Sequence, residues 1–252
     1  MIKLFRNIRK NLLAEGKISR YLKYAIGEII LVVIGILIAL SINNWNENRK
    51  SKKMANEVYE NLLTSLQQDS IEVQRTIDLL TKSLGTQRRL ILSDSEQFSN
   101  LSNQKNIEGM VREISYAVMS FFPKNGVYNL LTSNNGMDLL QSKKIKSLLI
   151  NLYDFQYKRY ENVDAIIDHK YHYQLGPLIR KKIGFIGEYN SESEFKALKH
   201  VDPNLFKKHY KELVSECQDI YGVLSTGNNY LVQIRTSINE LLPLIRSELK
   251  VY

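Results

Sequence analysis

The sequence contains little cysteine, proline or glycine. Its 252 residues include one cysteine, Cys217, so an intramolecular disulfide is excluded. Only 4 prolines and 12 glycines are present, whereas folds built mainly from β-strands need many turn residues. This scarcity favours long helices. Because Cys217 falls in an amphipathic stretch, we expect it to be a buried structural thiol.

The sequence also lacks the motifs of familiar active sites. It has no glycine-rich phosphate loop, no Cys/His zinc spacing and no Gly-x-Ser-x-Gly nucleophile elbow. His169 and His172 have a spacing that can bind a metal on a helix, but Ile166 stands where a Glu-x-x-His ligand set requires an acid. We therefore predict no catalytic residue, no metal site and no cofactor. These absences favour a non-enzymatic protein.

The net charge of +9 is concentrated near the N-terminus. Residues 1–53 contain 11 basic and 3 acidic side chains, whereas the other 199 residues contain 24 basic and 23 acidic ones. A domain that binds nucleic acid carries its basic residues on the folded surface, so this distribution argues against nucleic acid as a partner. Basic residues on both sides of an apolar segment instead indicate a lipid surface.

The apolar segment is long enough to cross a bilayer. Residues 25–42 contain one charged side chain, that of Glu28, and as a helix they would span about 27 Å, close to the thickness of the hydrocarbon layer. Tyr21 and Tyr24 lie at one end and Trp45 at the other, and such rings favour the membrane interface. We therefore predict a transmembrane helix over residues 24–45.

A cleaved signal peptide is the alternative interpretation of this segment. Its basic part would run past residue 20, however, and its apolar part would exceed the usual length of about 7–15 residues. Seven basic residues precede the segment, and four follow it within the next eleven residues. Because cytoplasmic flanks carry the excess of Lys and Arg, we predict a cytoplasmic N-terminal segment over residues 1–23 and an exported domain over residues 46–252.

One face of the predicted membrane helix carries Glu28, Gly35 and Ala39. Gly35 and Ala39 form a small-xxx-small pair, which permits two helices to pack closely. A carboxyl on that face either reaches headgroup water or lies in a helix–helix contact. We predict that these three residues form a contact stripe for a second copy of the chain or for another membrane protein.

Two parts of the sequence carry a family resemblance. Residues 5–9 (Phe-Arg-Asn-Ile-Arg), 24–40 and 42–47 (Ile-Asn-Asn-Trp-Asn-Glu) resemble the N-terminal signature of the DUF6090-type family, which comprises uncharacterised membrane proteins of Bacteroidota. Residues 128–136 and the following Leu139-Leu140 resemble its second signature. The resemblance implies a bacterial, membrane-anchored, helical protein, and it supplies no activity, cofactor or catalytic residue. With the orientation above, the anchor lies in the inner membrane and the domain in the periplasm.

Helical periodicity continues through the rest of the chain. Apolar residues recur at spacings of three, four or seven from Met54 to Leu84, and similar patterns occupy residues 107–120, 143–173 and 205–245. The predicted fold is all-α: one N-terminal transmembrane helix that continues into an up-and-down bundle of four or five long helices.

Several boundaries of these helices are predicted from their flanking residues. Ser142 precedes one helix, and Asp202-Pro203 combines an N-cap with a proline at the first helical position. Gly176-Pro177 should interrupt the helix before it. We expect a loop over Ser93–Lys105, a short helix near Ser193–Lys199, and no strands.

Three tyrosines, Tyr153, Tyr157 and Tyr160, fall on one helical face at i, i+4 and i+7. A stripe from core to rim is the ordinary interpretation, and a groove for a ligand or peptide is the functional one. The leading hypothesis is a non-enzymatic interaction, scaffold or sensor module of the bacterial envelope. The alternatives are a membrane-tethered hydrolase with an unrecognised site, which a pocket of convergent polar groups would favour, and an accessory subunit of a larger membrane complex.

Overall fold

The computed structural model describes residues 18–93, 103–133, 136–189 and 195–251. The chain divides into two compact units, Met1–Ala55 and Asn56–Tyr252. Helix α1 (Ile18–Leu92) contains 75 residues and contributes to both units. The predicted basic segment lies mostly outside the described residues, as does most of the predicted loop after α1.

The part of α1 in the first unit is apolar and exposed. Among the described residues, α1 is the one helix long and apolar enough to cross a membrane, and none of its most apolar stretch is buried within the chain. Exposure of apolar surface to water costs about 25 cal/mol per Å². The segment is therefore a candidate membrane span rather than a core helix of a globular unit.

The second unit continues with two short helices. Helix α2 (Gln104–Ser115) leads into a 3₁₀ turn (Tyr116–Val118). Asn103 caps α2, because its side-chain oxygen accepts a hydrogen bond from the Lys105 N–H at 3.1 Å. Helix α3 (Gly126–Ser133) follows, and then a 3₁₀ turn (Gly136–Leu139). The residues between these two elements, which fall in the second family signature, lie outside the described ranges.

Residues 143–183 form a helical stretch in which α-helical and π-helical segments alternate. Ser142 caps it as predicted, because its hydroxyl accepts a hydrogen bond from the Ile145 N–H at 3.3 Å. The segments are α4 (Lys143–Ile150), π1 (Asn151–Tyr157), α5 (Lys158–Lys170), π2 (Tyr171–Leu175) and π3 (Leu178–Ile183).

The predicted interruption at Gly176-Pro177 is wrong. Both residues have right-handed helical dihedral angles, and the stretch continues to Ile183. The wider turns of π2 and π3 on either side accommodate a residue that cannot donate to a preceding carbonyl. The stretch ends instead at Gly184, whose φ of 83° is a conformation that glycine adopts without the Cβ penalty.

A small β-hairpin follows, and it corrects the expectation of loops with a short helix and no strands. Strands β1 (Ile186–Tyr189) and β2 (Phe195–Lys199) pair antiparallel, with Ile186 opposite Lys199 and Gly187 opposite Ala197. Strands of four and five residues are too short to show a period in the sequence, and their pairing stabilises them.

Helix α6 (Pro203–Val251) completes the chain, and its predicted start is confirmed. The Asp202 carboxylate accepts a hydrogen bond from the Asn204 N–H at 2.8 Å. Gly227 permits α5 to lie close to α6, since a Cβ at this position would be 2.9 Å from Cδ1 of Ile167. Cys217 on α6 is fully buried as expected, and burial raises the pKa of its thiol to about 12.

The helices of the second unit enclose one apolar core, and the prediction of a nearly all-α fold is confirmed. Polar contacts join α1 to its neighbours. The Ser83 hydroxyl donates to the Ile114 carbonyl of α2 at 3.1 Å, and Arg235 of α6 donates to Gln74. The predicted apolar stripe on α1 is buried from Leu62 to Leu80, whereas Met54 is exposed.

Candidate ligand-binding cavity

A cavity of about 520 Å³ lies between residues 121–132 and the π1–α5 segment. Six of its fourteen described lining residues are aromatic, and its charged groups belong to π1 and α5. The residues that line it are Phe121, Phe122, Pro123, Asn125, Tyr128, Asn129, Thr132, Tyr153, Asp154, Tyr157, Lys158, Tyr160, Glu161 and Asp164.

The three tyrosines predicted to share a face do lie together in this wall. Tyr153 stacks on Tyr128 with ring centroids 4.3 Å apart and planes within 4°. The edge of Tyr157 meets Tyr153 at 4.9 Å, and Phe121 contacts both Tyr157 and Tyr160. Aromatic pairs in these arrangements stabilise one another by about 0.5–1.5 kcal/mol beyond the area they bury. The rings therefore form one packed cluster.

Asp69 of α1 is a buried carboxylate that lies behind the aromatic cluster. It accepts a hydrogen bond from the Tyr157 hydroxyl at 3.0 Å and one from the Lys124 N–H at 3.2 Å. The Lys124 ammonium lies 3.9 Å from the same carboxylate. Burial raises the pKa of Asp69, and the hydrogen bonds from Lys124 and Tyr157 oppose that rise. Asp69 therefore joins three chain segments behind the cavity.

A second carboxylate, Asp154, orients Tyr128. The Tyr128 hydroxyl donates to it at 2.5 Å and the Lys158 ammonium at 3.1 Å. Because these two hydrogen bonds stabilise the charged form, they lower the pKa of Asp154. The pKa of Tyr128 is raised, first by burial and then by its bond to Asp154. Asp154 therefore carries its charge at neutral pH and fixes the orientation of the Tyr128 ring.

A third carboxylate, Asp164, pairs with Tyr160. The Tyr160 hydroxyl donates to Asp164 at 2.9 Å and accepts a hydrogen bond from the Phe121 N–H at 3.2 Å. Burial raises the pKa of Asp164, while hydrogen bonds from Tyr160 and Ser120 work against that rise. The tyrosine thus links α5 to the segment before α3, across one end of the cavity.

One hydroxyl of the cluster is unsatisfied. Tyr153 is 4% exposed, and its hydroxyl has no hydrogen-bond partner among the described residues. Burial raises its pKa, so it is a neutral group that can donate or accept. Buried polar groups in folded proteins are nearly always paired. The hydroxyl oxygen itself is buried, so this unpaired group lies behind the surface of the wall and not on it.

The charge of the wall is negative, unlike that of the whole chain. Among the described lining residues, the acids are Asp154, Glu161 and Asp164, and the one base is Lys158. Lys158 is bonded to Asp154. Over the described ranges, neither Glu161 nor Asp164 forms an ion pair with a basic side chain. Two carboxylates thus line the cavity without a counter-ion from the part of the chain that the structure describes.

The wall lacks several common types of nucleophile. Among its described lining residues there is no histidine, cysteine or serine, and the one aliphatic hydroxyl, that of Thr132, donates to the Asn129 carbonyl at 3.1 Å. A hydroxyl nucleophile needs an activating base within hydrogen-bond reach, whereas a carboxylate does not. Elsewhere, His169 packs on Tyr173 at the surface and no group of three metal-binding side chains occurs among the described residues.

The residues predicted for the membrane segment belong to the first unit, whereas the residues that line the cavity belong to the second. Trp45 is exposed, with the Arg49 guanidinium 5.9 Å from its ring centroid, and Tyr24 is exposed as well. The side chain of Tyr21 is outside the described residues. A Cβ at Gly35 would meet nothing within 4 Å, so this position on α1 is open to a neighbour.

The polar partners of the tyrosines were missed by the sequence analysis, although one of them carries a signal. Asp69 stands between Leu66 and Val73 at a core position of the apolar stripe on α1, and an acid at such a position indicates a buried, bonded group. Tyr128 lies within the second family signature but had no role assigned. Its contact with Tyr153 joins segments that are distant in sequence.

Comparisons with known proteins identify one family. The model of a family of unknown function, DUF6090, matches residues 28–174, more than half of the chain. No curated protein and no solved structure shows a significant match. The matched range begins inside the apolar part of α1 and includes the second signature noted in the sequence.

Proposed function

Because the chain belongs to the DUF6090 family of unknown function, we propose a function from its own residues: it is a membrane-anchored, non-enzymatic binding module that takes a ligand in the tyrosine cavity. In this role it serves the bacterial envelope as a sensor or scaffold. The cavity itself, with its packed tyrosines and unpaired acids, is the observation that carries the proposal.

The anchor is the N-terminal part of α1. Its exposed apolar surface and the basic residues on both sides of it support insertion in a bilayer. The larger number of basic residues before the segment supports a cytoplasmic N-terminus and a periplasmic C-terminal domain in the inner membrane. Glu28, Gly35 and Ala39 then form the stripe through which α1 contacts a second copy or another membrane protein.

The cavity has the size and rigidity of a binding site. Ligand pockets are commonly about 300–1,000 Å³ and mostly apolar, with a few polar groups. Hydrogen bonds to Asp69, Asp154 and Asp164 hold the rings in place before a ligand arrives, and such preorganisation lowers the entropy lost on binding. Segment π1 supplies Tyr153 and Tyr157, and π-helical turns are frequent at functional sites.

The hydrolase alternative would draw on the same convergent polar groups. Here, however, the hydroxyls of Tyr128, Tyr157 and Tyr160 are bonded to carboxylates, and no lining histidine can act as a base. Binding uses this arrangement as it stands, whereas hydrolysis that used these hydroxyls would have to break it. If the chain is an accessory subunit, the same contact stripe binds it to the larger membrane complex. A ligand in the cavity would then regulate that complex.

A cavity-filling substitution tests the proposal. Asn129 lines the cavity from α3, and the neighbouring Leu130 is exposed without lining it. Asn129→Trp should therefore fill the cavity, and Leu130→Trp adds the same ring beside it. Full-length protein would be purified from native membranes in mild detergent, and every retained small molecule or peptide identified by mass spectrometry. We expect a species that the wild type and Leu130→Trp retain and Asn129→Trp loses.

Identical retained species in all three proteins would refute a ligand-binding role for the cavity. Circular dichroism melts provide the folding control, since both positions are on the surface and both variants should unfold close to the wild-type temperature. A variant that unfolds early would be replaced by Thr132→Trp, which approaches the cavity from the next turn of α3.

A further inference from the structure

We propose that the cavity selects a small organic cation, in which a protonated primary amine is carried on a hydrocarbon or aromatic body. This inference rests on the proposed function, because it names the class of ligand that the cavity takes. It follows from two properties of the wall: its aromatic surface and its uncompensated acids.

The aromatic surface can contact the hydrocarbon body of such a ligand and can also attract its positive charge. Phe121, Tyr128, Tyr153 and Tyr157 contribute the packed rings. Their apolar area favours a ligand with its own hydrocarbon surface. The faces of aromatic rings carry negative potential, and a cation within about 6 Å of a ring centroid is attracted to it. An anion would meet repulsion from the same faces.

The acidic residues of the wall favour a ligand with a positive charge. Glu161 and Asp164 have no basic partner among the described residues, while Lys158, the base of the wall, is already bonded to Asp154. Carboxylates accept hydrogen bonds and an ammonium group donates three. Charge-assisted hydrogen bonds of this type are about twice as strong as neutral ones. A carboxylate or phosphate ligand would find no free cation in the wall.

The same acids favour an amine that retains its N–H groups. An ammonium group can donate hydrogen bonds to carboxylates such as those of Glu161 and Asp164, which line the cavity. A quaternary ammonium has no N–H and cannot donate. Primary amines therefore fit better than fully methylated ones.

Three probes of nearly equal size separate charge from shape. They are 2-phenylethylamine, which is protonated at pH 7, the neutral 2-phenylethanol and the anionic phenylacetate. Their affinities for the full-length protein in detergent would be measured by isothermal titration calorimetry. We expect the amine to bind at least roughly tenfold more tightly than the alcohol, and phenylacetate to bind most weakly. Only binding that Leu130→Trp retains and Asn129→Trp abolishes is assigned to the cavity.

Two neutralising variants test the acids. Glu161→Gln and Asp164→Asn should each reduce the preference for the amine over the alcohol, by roughly threefold for the exposed Glu161 and more for the half-buried Asp164. Glu60→Gln removes a carboxylate from an exposed position of α1 that does not line the cavity, and the preference should be unchanged.

The possible results separate this inference from the proposed function. If the alcohol or phenylacetate binds in the cavity as tightly as the amine, selection of a cation is wrong, while a ligand-binding cavity stands. If none of the three probes binds the wild type, selection of an amine of this size is wrong, and the retention experiment decides the proposed function independently. A preference that survives both Glu161→Gln and Asp164→Asn would also overturn the assignment.

Discussion

At the scale of single residues, Asp154 and Asp164 show how exposure decides the direction of a pKa shift. Each accepts a hydrogen bond from a tyrosine hydroxyl of the same cavity. Asp154 is exposed, so its hydrogen bonds from Tyr128 and Lys158 dominate and its pKa is lowered. Asp164 is half-buried, so desolvation dominates and its pKa is raised. Ionisation therefore costs more free energy at Asp164 than at Asp154.

The raised pKa of Asp164 predicts a pH-dependent contribution to stability. Because its pKa in the folded state lies above the value of 3.8 expected for the unfolded chain, the folded state binds the proton more tightly. Its stabilising contribution is complete below pH 3.8 and is lost as the pH rises through the folded pKa. Relative to Asp164→Asn, the wild type should therefore lose stability over this interval.

Thermal melts of both proteins between pH 3 and pH 8 would measure this difference. We expect the wild-type Tm, relative to that of Asp164→Asn, to fall with rising pH and then to level off. Glu60→Gln serves as the control, because it changes an exposed acid on α1, outside the cavity. The difference in Tm between the wild type and Glu60→Gln should not fall in this way as the pH rises. A constant difference between the wild type and Asp164→Asn would contradict a raised pKa.

Sequence patterns reveal local relationships among the cavity residues better than distant ones. Tyr153, Tyr157 and Tyr160 were predictable as one face because helical geometry sets their spacing. The stacking of Tyr128 on Tyr153 was not predictable, since it depends on how α3 packs against π1. The contact of Asp69 with Tyr157 spans 88 positions of sequence, and only its polar character within an apolar stripe hinted at burial.

At the scale of elements, the regular helices were predictable and the irregular ones were not. The end of α1 at Leu92 and the caps at Ser142 and Asp202 follow from periodicity and side-chain chemistry. A change from i→i+4 to i→i+5 hydrogen bonding leaves the apolar pattern nearly intact, so π1 was not visible in the sequence. The hairpin was missed because tertiary pairing, not local pattern, specifies its strands.

The face of α1 that carries Gly35 and Ala39 leads to a prediction for the membrane segment. Variants with one added cysteine, at Gly35 or at Ala39, should form stronger disulfide crosslinks between copies in membranes than variants with a cysteine added at Val33 or Leu37, because small residues allow helices to approach closely. Non-reducing gel electrophoresis measures the dimer fraction. The buried Cys217 thiol, with its raised pKa, should contribute no background.

Equal crosslinking at all four positions would rule out the stripe as a contact between copies. Stronger crosslinking at Val33 and Leu37 would place the contact on the opposite face of α1. A Glu28→Gln variant in the Gly35→Cys background asks whether the carboxyl takes part, and a reduced dimer fraction is expected if it lies in the contact.

At the scale of the whole molecule, the chain combines a candidate membrane span with a helical unit that has its own core. Its basic residues are concentrated around the span, and residues 54–252 are nearly neutral. This distribution suits a protein that is held at a membrane by one segment and works through the other. The fold class and the candidate span were predictable from composition and hydrophobic pattern, whereas the cavity required the structure.

The proposed orientation predicts which parts of the chain a membrane-impermeant maleimide can label. Ser147 is exposed on α4, so Ser147→Cys should react in cells whose outer membrane alone has been permeabilised. Ser19→Cys, before the apolar segment, should react only after the inner membrane is lysed. The wild type provides the blank, because its thiol is buried. Labelling in the reverse order would show that the topology is the opposite of the one proposed.

The position of the cavity along the chain also has an evolutionary consequence. The residues that line it fall between Phe121 and Asp164, and Asp69 also lies within the range 28–174 that the family shares. The hairpin and α6 lie beyond that range. The described residues of the cavity and most of the apolar segment therefore fall within the range that the family model covers, and the proposed binding role predicts that they are retained together. A survey of relatives should accordingly find the tyrosine–aspartate pairs retained more often than any residue of α6.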